Sequence, residues 1–469
     1  MSVVLGALLV LLLSVRGEAA VNDTAAAPSA NDDPARRAMQ QLALSIQRFT
    51  LPNGLRVVFN VDSSSPTVAV SVTYDVGSRN EQRGRSGFAH LFEHMMFQGS
   101  RNVKKGEHFT LLAARGGELN GTTSADRTNY FEVVPLNELA LALWLEADRM
   151  RWLDVTPENF ENQRRVVQEE YRMRVANAAY RPAMMRLEEV TYQDYWPYAH
   201  PTIGSMSDLD SARFEWVQDF HAQYYAPNNA VLTVAGNFDR DETAMLIEEY
   251  FGSIPRNDGP PPFDPPPAPP PPDVQRLLAV QDANAKTPGL FYGWLIPPTM
   301  TEEHYALEMA SLLLTDGESS VLHQELVRAN PVAREVGSWT FDRRGPDMLT
   351  VMALLTQEAS PVQVREHIER ALARLARDPV SDRQLQRVRN RIRSHFLFRL
   401  QSNMTRAVEL GEFELLWGDA RLLTRQLDGY LRVSAEDIRN AVRSHLRPSA
   451  ASVVEVVPAE SDSSQESRQ

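Results

Sequence analysis

With 469 residues, 43% of them hydrophobic, the chain is too long for one ordinary core and calls for at least two domains. Its formal charge of −13 comes from interspersed acids and arginines without a basic block, which argues against nucleic acid as a partner. There is no cysteine, so disulfides, lipid attachment through cysteine and thiolate ligands are excluded, and any zinc must take nitrogen and oxygen donors.

Val3 to Val15 form an apolar run too short to span a bilayer, followed by small residues at Gly17, Ala19 and Ala20. This is the pattern of an export signal over residues 1–20, and it predicts a periplasmic location. No positive residue precedes the run and Arg16 follows it, so a short retained membrane anchor is the alternative. Residues 21–45 are rich in Ala, Asn, Asp and Pro and predict a flexible lead-in.

A folded domain is expected over 46–258. Phe49 to Phe59 reads as strand, Asn53-Gly54 turn and strand, and Thr67 to Tyr74 supplies another β-branched run. Helical patterns follow at Gly87–Phe97, Leu136–Leu153, Pro157–Val175, Glu215–Tyr225 and Asp241–Phe251, with a strand at Ala230–Ala235. Strands and helices mix without strict β-α-β alternation, which predicts α+β rather than a doubly wound sheet. Ten prolines between Pro260 and Pro272 exclude a helix or central strand and predict an extended linker over 259–273.

The second domain, over 274–459, repeats the general order. A strand at Gly289–Leu295 precedes a helix at Glu302–Leu314, strands around Ser338 and at Leu349–Leu355, long helices, and a closing strand at Ser452–Val457. This suggests a degenerate duplication with little residue identity. Residues 460–469 are polar and predict a disordered tail.

Within Gly87–Phe97, His90 and His94 are four apart and share one helical face, where two imidazoles can grip one ion. Glu93 adjoins the second. The other positions are apolar all round, so three ionisable groups on a buried helix need partners, and a metal supplies them. The competing reading is two satisfied core histidines and a hydrogen-bonded buried glutamate.

A catalytic zinc needs a third protein ligand and an open position. The helix after Thr156-Pro157 offers Glu169 and Glu170. Glu170 shares its face with Val166, Val167 and Met173, whereas Glu169 has Arg165 and Arg172 as ion-pair partners, which favours Glu170. A wholly solvated charged face remains the alternative for both.

The order His-x-x-Glu-His is the inverzincin signature. Together with Val76–Glu81, Gly116–Thr123, Asp126–Tyr130, Val166–Glu170, His200–Gly204 and Ala226–Gly236, the chain from about Leu51 to Arg256 resembles the pitrilysin and insulysin family. Its shorter members, related to the mitochondrial processing peptidase, are the nearest in form. The resemblance implies two homologous α+β domains, each an antiparallel sheet flanked by helices. Two such pairs would close a chamber around a peptide or an unfolded protein segment.

It further implies one Zn²⁺ per chain held by His90, His94 and Glu170, the last falling 76 positions after His94. Glu93 is the implied general base for metal-assisted hydrolysis of a peptide bond. Asn120, Gly121 and Thr122 resemble the strand that pairs with extended substrate.

Two departures stand out. Gln163 lies where many relatives carry a second glutamate near the site. In the second half, Arg328 matches a substrate-holding arginine, but Arg334 and Glu335 stand where a tyrosine is expected. The missing tyrosine suggests the zinc-bearing subunit of a heterodimer with a homologous partner, a homodimer being the alternative. The rival to an endopeptidase is a zinc-binding peptide-capture or scaffold subunit that does not cut.

Overall fold

The first sheet is built from β1 (Ile46–Thr50), β2 (Arg56–Val61), β3 (Thr67–Tyr74), β4 (Glu118–Thr123), β5 (Thr128–Pro135) and β6 (Ala230–Gly236), in the order β1-β2-β6-β3-β5-β4. A turn at Gly54, with φ +92°, joins β1 to β2 where the Asn-Gly pair stands. The computed structural model describes residues 44–459 apart from Asp194, Pro261, Pro262 and Asp264. The expected export signal, nearly all of the lead-in and the polar tail therefore lie outside the described residues.

The second sheet contains β7 (Arg276–Asp282), β8 (Gly289–Ile296), β9 (Ala333–Trp339), β10 (Asp347–Leu355) and β11 (Ser452–Pro458), in the order β7-β11-β8-β10-β9. Strands β2-β6-β3-β5-β4 follow the same spatial path as β7-β11-β8-β10-β9, with the same sense at every pairing. The α+β class and the duplication hold. One detail differs from an all-antiparallel expectation: β2 runs parallel to β6, and β7 parallel to β11. The last strand of each half returns to the centre of its sheet after a long helical excursion, and that crossover sets the parallel sense.

Five helices position the site and its supports: α1 (Phe88–Met95), α2 (Leu139–Trp152), α3 (Pro157–Tyr171), α4 (Arg181–Tyr192) and, beyond the proline-rich segment, α5 (Glu302–Thr315). A sixth, α6 (Asn403–Trp417), belongs to the second half in sequence but lies across β3 and β6 of the first sheet. In return, α4 of the first half lies on β8 and β11 of the second. The central strands are thus buried on both faces, which is why β6 and β8 read as near-continuous apolar runs and why the second face of β3 carries small Ala69, Ser71 and Thr73, all buried.

Close approach is secured by small residues. A methyl group on Gly411 of α6 would come within 2.9 Å of Thr233 Oγ1, and one on Gly293 of β8 within 2.7 Å of Thr191 Oγ1. Residues 44–459 belong to one compact unit, and the described part of the proline-rich segment carries neither helix nor strand.

Candidate metal centre

The chemistry-bearing helix is pinned at its amino end before any ligand is considered. Glu81, fully buried, accepts the backbone N–H of Gly87 at 2.9 Å and of Ala89 at 2.8 Å, so two of the otherwise unpaired first-turn donors of α1 are satisfied by one carboxylate. His200 Nε2 is hydrogen-bonded to the same carboxyl group at 3.0 Å, and its Nδ1 donates to the Trp196 carbonyl at 2.7 Å. Gly87 and Gly204 both have positive φ and their backbones touch. A methyl group on Gly204 would fall 2.5 Å from the Gly87 Cα.

From that anchor α1 buries Phe88, Ala89, Leu91, Phe92 and Met95 and turns His90 and His94 toward α3. There Glu170 Oε2 lies 3.7 Å from His90 Nε2 and 3.3 Å from His94 Nε2. These three side chains form a group whose donor atoms all converge. Two donors on a zinc with bonds of about 2.0–2.2 Å and tetrahedral angles are separated by about 3.4 Å, so the spacing fits that ion. The donor set is nitrogen and oxygen, as a chain without cysteine requires.

Electrostatics agree with a ligand role. Burial, aided by neighbouring His94, pushes His90 down to about 4, so its imidazole is neutral and able to donate a lone pair at neutral pH. Glu170 is held below the ordinary carboxylate range, first by its hydrogen bond with His94, and stays ionised. Its other oxygen accepts from Arg174 at 2.6 Å. Glu169, one residue earlier, pairs instead with Arg172 at 3.0 Å on the exposed face.

Glu93, on the same helix as His90 and His94, meets β4. Its Oε2 accepts from Thr123 Oγ1 at 2.5 Å, and burial raises its carboxyl above the usual value while that hydrogen bond opposes the rise. Gly121, two residues earlier on the same face of β4, has its Cα against the Glu93 side chain. An added methyl would stand 3.3 Å from Glu93 Cγ.

The remaining sequence-derived candidates are dispersed. Asn120 lies on the exposed side of β4 and accepts the Gly121 N–H at 2.9 Å, while Thr122 binds Asn129 at 2.6 Å and accepts from Arg127 at 2.6 Å. Gln163 is buried and donates to Asn162, while the buried Nδ1 of His90 has no hydrogen-bond partner among the described residues. Arg328 is exposed, pairs with Glu318 at 3.3 Å, and does not line the cavity beside the metal cluster.

That cavity, about 950 Å³, is also lined by Asp342, Arg343 and Glu412 of the second half. Glu412 stands on α6, and the loop carrying Asp342 and Arg343 is docked by Asp126, which accepts the Arg344 N–H at 3.0 Å and is itself held by buried Arg79 at 2.9 Å. Sequence reasoning missed Thr123, Arg127 and this second-half wall. The first was within reach, because period-two alternation puts Thr123 on the face of Gly121. The last was not, because nothing local in the sequence joins residues 126 and 344.

Comparison with known proteins gives the family. The family model described as insulinase (peptidase family M16) matches residues 56–201, and the peptidase M16 inactive domain matches 212–392. The chain is 27% identical to the zinc protease PqqE of Helicobacter pylori over 88% of this chain and 93% of that protein. It is 30% identical to an uncharacterized zinc protease of Mycobacterium tuberculosis over 86% of this chain and 91% of that one. A crystal structure of a protease from Helicobacter pylori superposes with a TM-score of 0.84 at 27% identity, covering 88% of this chain and all of that one. With two domain models in tandem, these identities along nearly the whole length, and a His-His-Glu group where the first model lies, the chain belongs to the insulinase family of zinc peptidases, family M16.

Proposed function

We propose that the chain is a zinc-dependent endopeptidase acting on peptides or unfolded protein segments. One zinc per chain would be held by His90, His94 and Glu170. The observation that carries the reading is the spacing of 3.3 and 3.7 Å between Glu170 Oε2 and the two imidazole nitrogens. A zinc ion bound there supplies Lewis acidity, which makes water a nucleophile at neutral pH and polarises a carbonyl.

The chain's own residues do the rest. Glu93 takes the proton of the attacking water on its carboxylate and returns it to the departing amine nitrogen, and burial holds that carboxyl above its ordinary value. The outer edge of β4, at Asn120, Gly121 and Thr122, offers backbone groups to an extended peptide, a mode of binding with little demand on side-chain sequence.

Asp342, Arg343 and Glu412 line the side of the cavity contributed by the second half, where a bound peptide would meet them. Arg328 is assigned to substrate at a distance from the metal, in a dimer with a homologous subunit that supplies the tyrosine absent at Arg334 and Glu335. A homodimer is the other arrangement. Export to the periplasm rests on the amino-terminal apolar run, and no helix among the described residues is long and apolar enough to cross a membrane.

The test is metal content. Elemental analysis of the purified chain should give one zinc per chain, and His90→Ala or Glu170→Ala should lose it together with cleavage of unstructured peptides. A wild-type chain that retains no zinc would exclude this reading.

A further inference from the structure

We infer that Thr123 is a positioning residue for the reaction, holding the Glu93 carboxylate in its working orientation from the edge strand. The inference rests on the endopeptidase reading above. The hydroxyl of Thr123 donates to Glu93 Oε2 at 2.5 Å, and no other described side chain donates to that carboxylate. A hydroxyl has one proton, so this bond commits it.

The effect is geometric. A glutamate on a buried helix has three rotatable bonds, and the tight packing of Gly121 against its Cγ limits only the first part of the side chain. The hydrogen bond from Thr123 fixes the last torsion and turns Oε2 toward the strand, leaving the proton-accepting role to Oε1. A base held within hydrogen-bond reach of its proton acts without a search for orientation.

The strand is itself held. Arg127 donates to the Thr122 carbonyl at 3.1 Å and to Thr122 Oγ1 at 2.6 Å, and approaches Glu412 of the second half at 3.4 Å. The residue that orients the base is therefore next to one clamped by the turn that follows β4. A side chain on a rigid element keeps its geometry better than one on a loop.

The test compares Thr123→Val and Thr123→Ser in the full zinc-loaded chain, with wild type and Glu93→Gln run alongside. Valine keeps the shape and removes the donor, and serine keeps the donor. We expect Thr123→Val to lower kcat about 10- to 100-fold, with KM, zinc content and melting temperature near wild type, and Thr123→Ser to restore kcat to within about threefold. A valine variant with kcat within twofold of wild type overturns the inference, as does a serine variant no better than valine. An inactive wild type would instead sink the endopeptidase reading, so the two failures are told apart. Should valine fold poorly, the serine variant against Thr123→Ala provides the same contrast.

Discussion

Asn403, the first residue of α6, donates through Nδ2 to the carbonyl of Thr67 at 2.9 Å and so ties the second half of the chain to the start of β3 in the first sheet. Arg406 on the same helix reaches Asp62 at 2.7 Å, and Glu414 receives Arg48 of β1 at 2.6 Å. Helix α6 completes a sheet to which it does not belong in sequence.

A fragment spanning residues 44–258 should therefore lack a cooperative fold, because the face of β3 and β6 carrying Ala69, Thr73, Thr233 and Ala235 loses its cover. Near-ultraviolet circular dichroism and dye binding on the fragment should report a loosely packed state. Co-expression with residues 259–459 should recover the whole. A fragment that unfolds cooperatively alone, at the same denaturant concentration as the full chain, would contradict this.

Glu81 and His200 act as one support for the metal helix. Glu81→Ala leaves two helix N–H groups and a buried imidazole without their partner, at a cost of about 3 kcal/mol in urea unfolding. Zinc affinity, measured by competition with a chelator, should fall about tenfold because the imidazoles are less well aimed. The double variant with His200→Ala should cost less than the sum of the singles.

His304, outside the His90, His94 and Glu170 group, gives a pH dependence of its own. Its Nε2 lies 3.0 Å from Asp347 and its Nδ1 3.4 Å from Glu308, and despite burial these two carboxylates raise it from 6.5 to about 10. A raised folded-state pKa contributes stability that is complete below the unfolded value of about 6.5 and is lost as pH rises through about 10. Unfolding free energy should thus fall by a few kcal/mol between these limits. The variant His304→Gln should be less stable at pH 6 and flatter over the same range.

Chelation should lower the melting temperature without dissolving the secondary structure, since α1 is held by Glu81 and by its apolar face rather than by the ion. Zinc in about hundredfold excess over its Kd should restore roughly 2.7 kcal/mol. His94→Ala should abolish that gain.

Much of this was legible from residues alone, and the reasons are local. Helical spacing placed His90, Glu93 and His94, and the pairing of Glu169 with Arg172 follows from a three-residue offset readable on any helix. The β-branched run from Thr67 to Tyr74 and the apolar run from Ala230 to Ala235 marked β3 and β6 as strands. What stayed hidden depends on contacts between distant parts of the chain. The parallel pairs, the exchange of α4 and α6, and the docking of Arg344 on Asp126 have no local pattern to betray them. Likewise, Glu81 stands in a segment that carries the family resemblance, but its role as anchor needs His200 and the amino end of α1 brought beside it.

The most direct measurement is cleavage of a pool of unstructured peptides by the purified zinc-loaded chain and by its Glu93→Gln variant, with zinc content determined in both. The account predicts cleavage by the wild type and a loss of at least about a hundredfold in the variant at equal zinc occupancy. Equal cleavage by the two proteins, or none by a fully zinc-loaded wild type with or without a homologous partner, would contradict it.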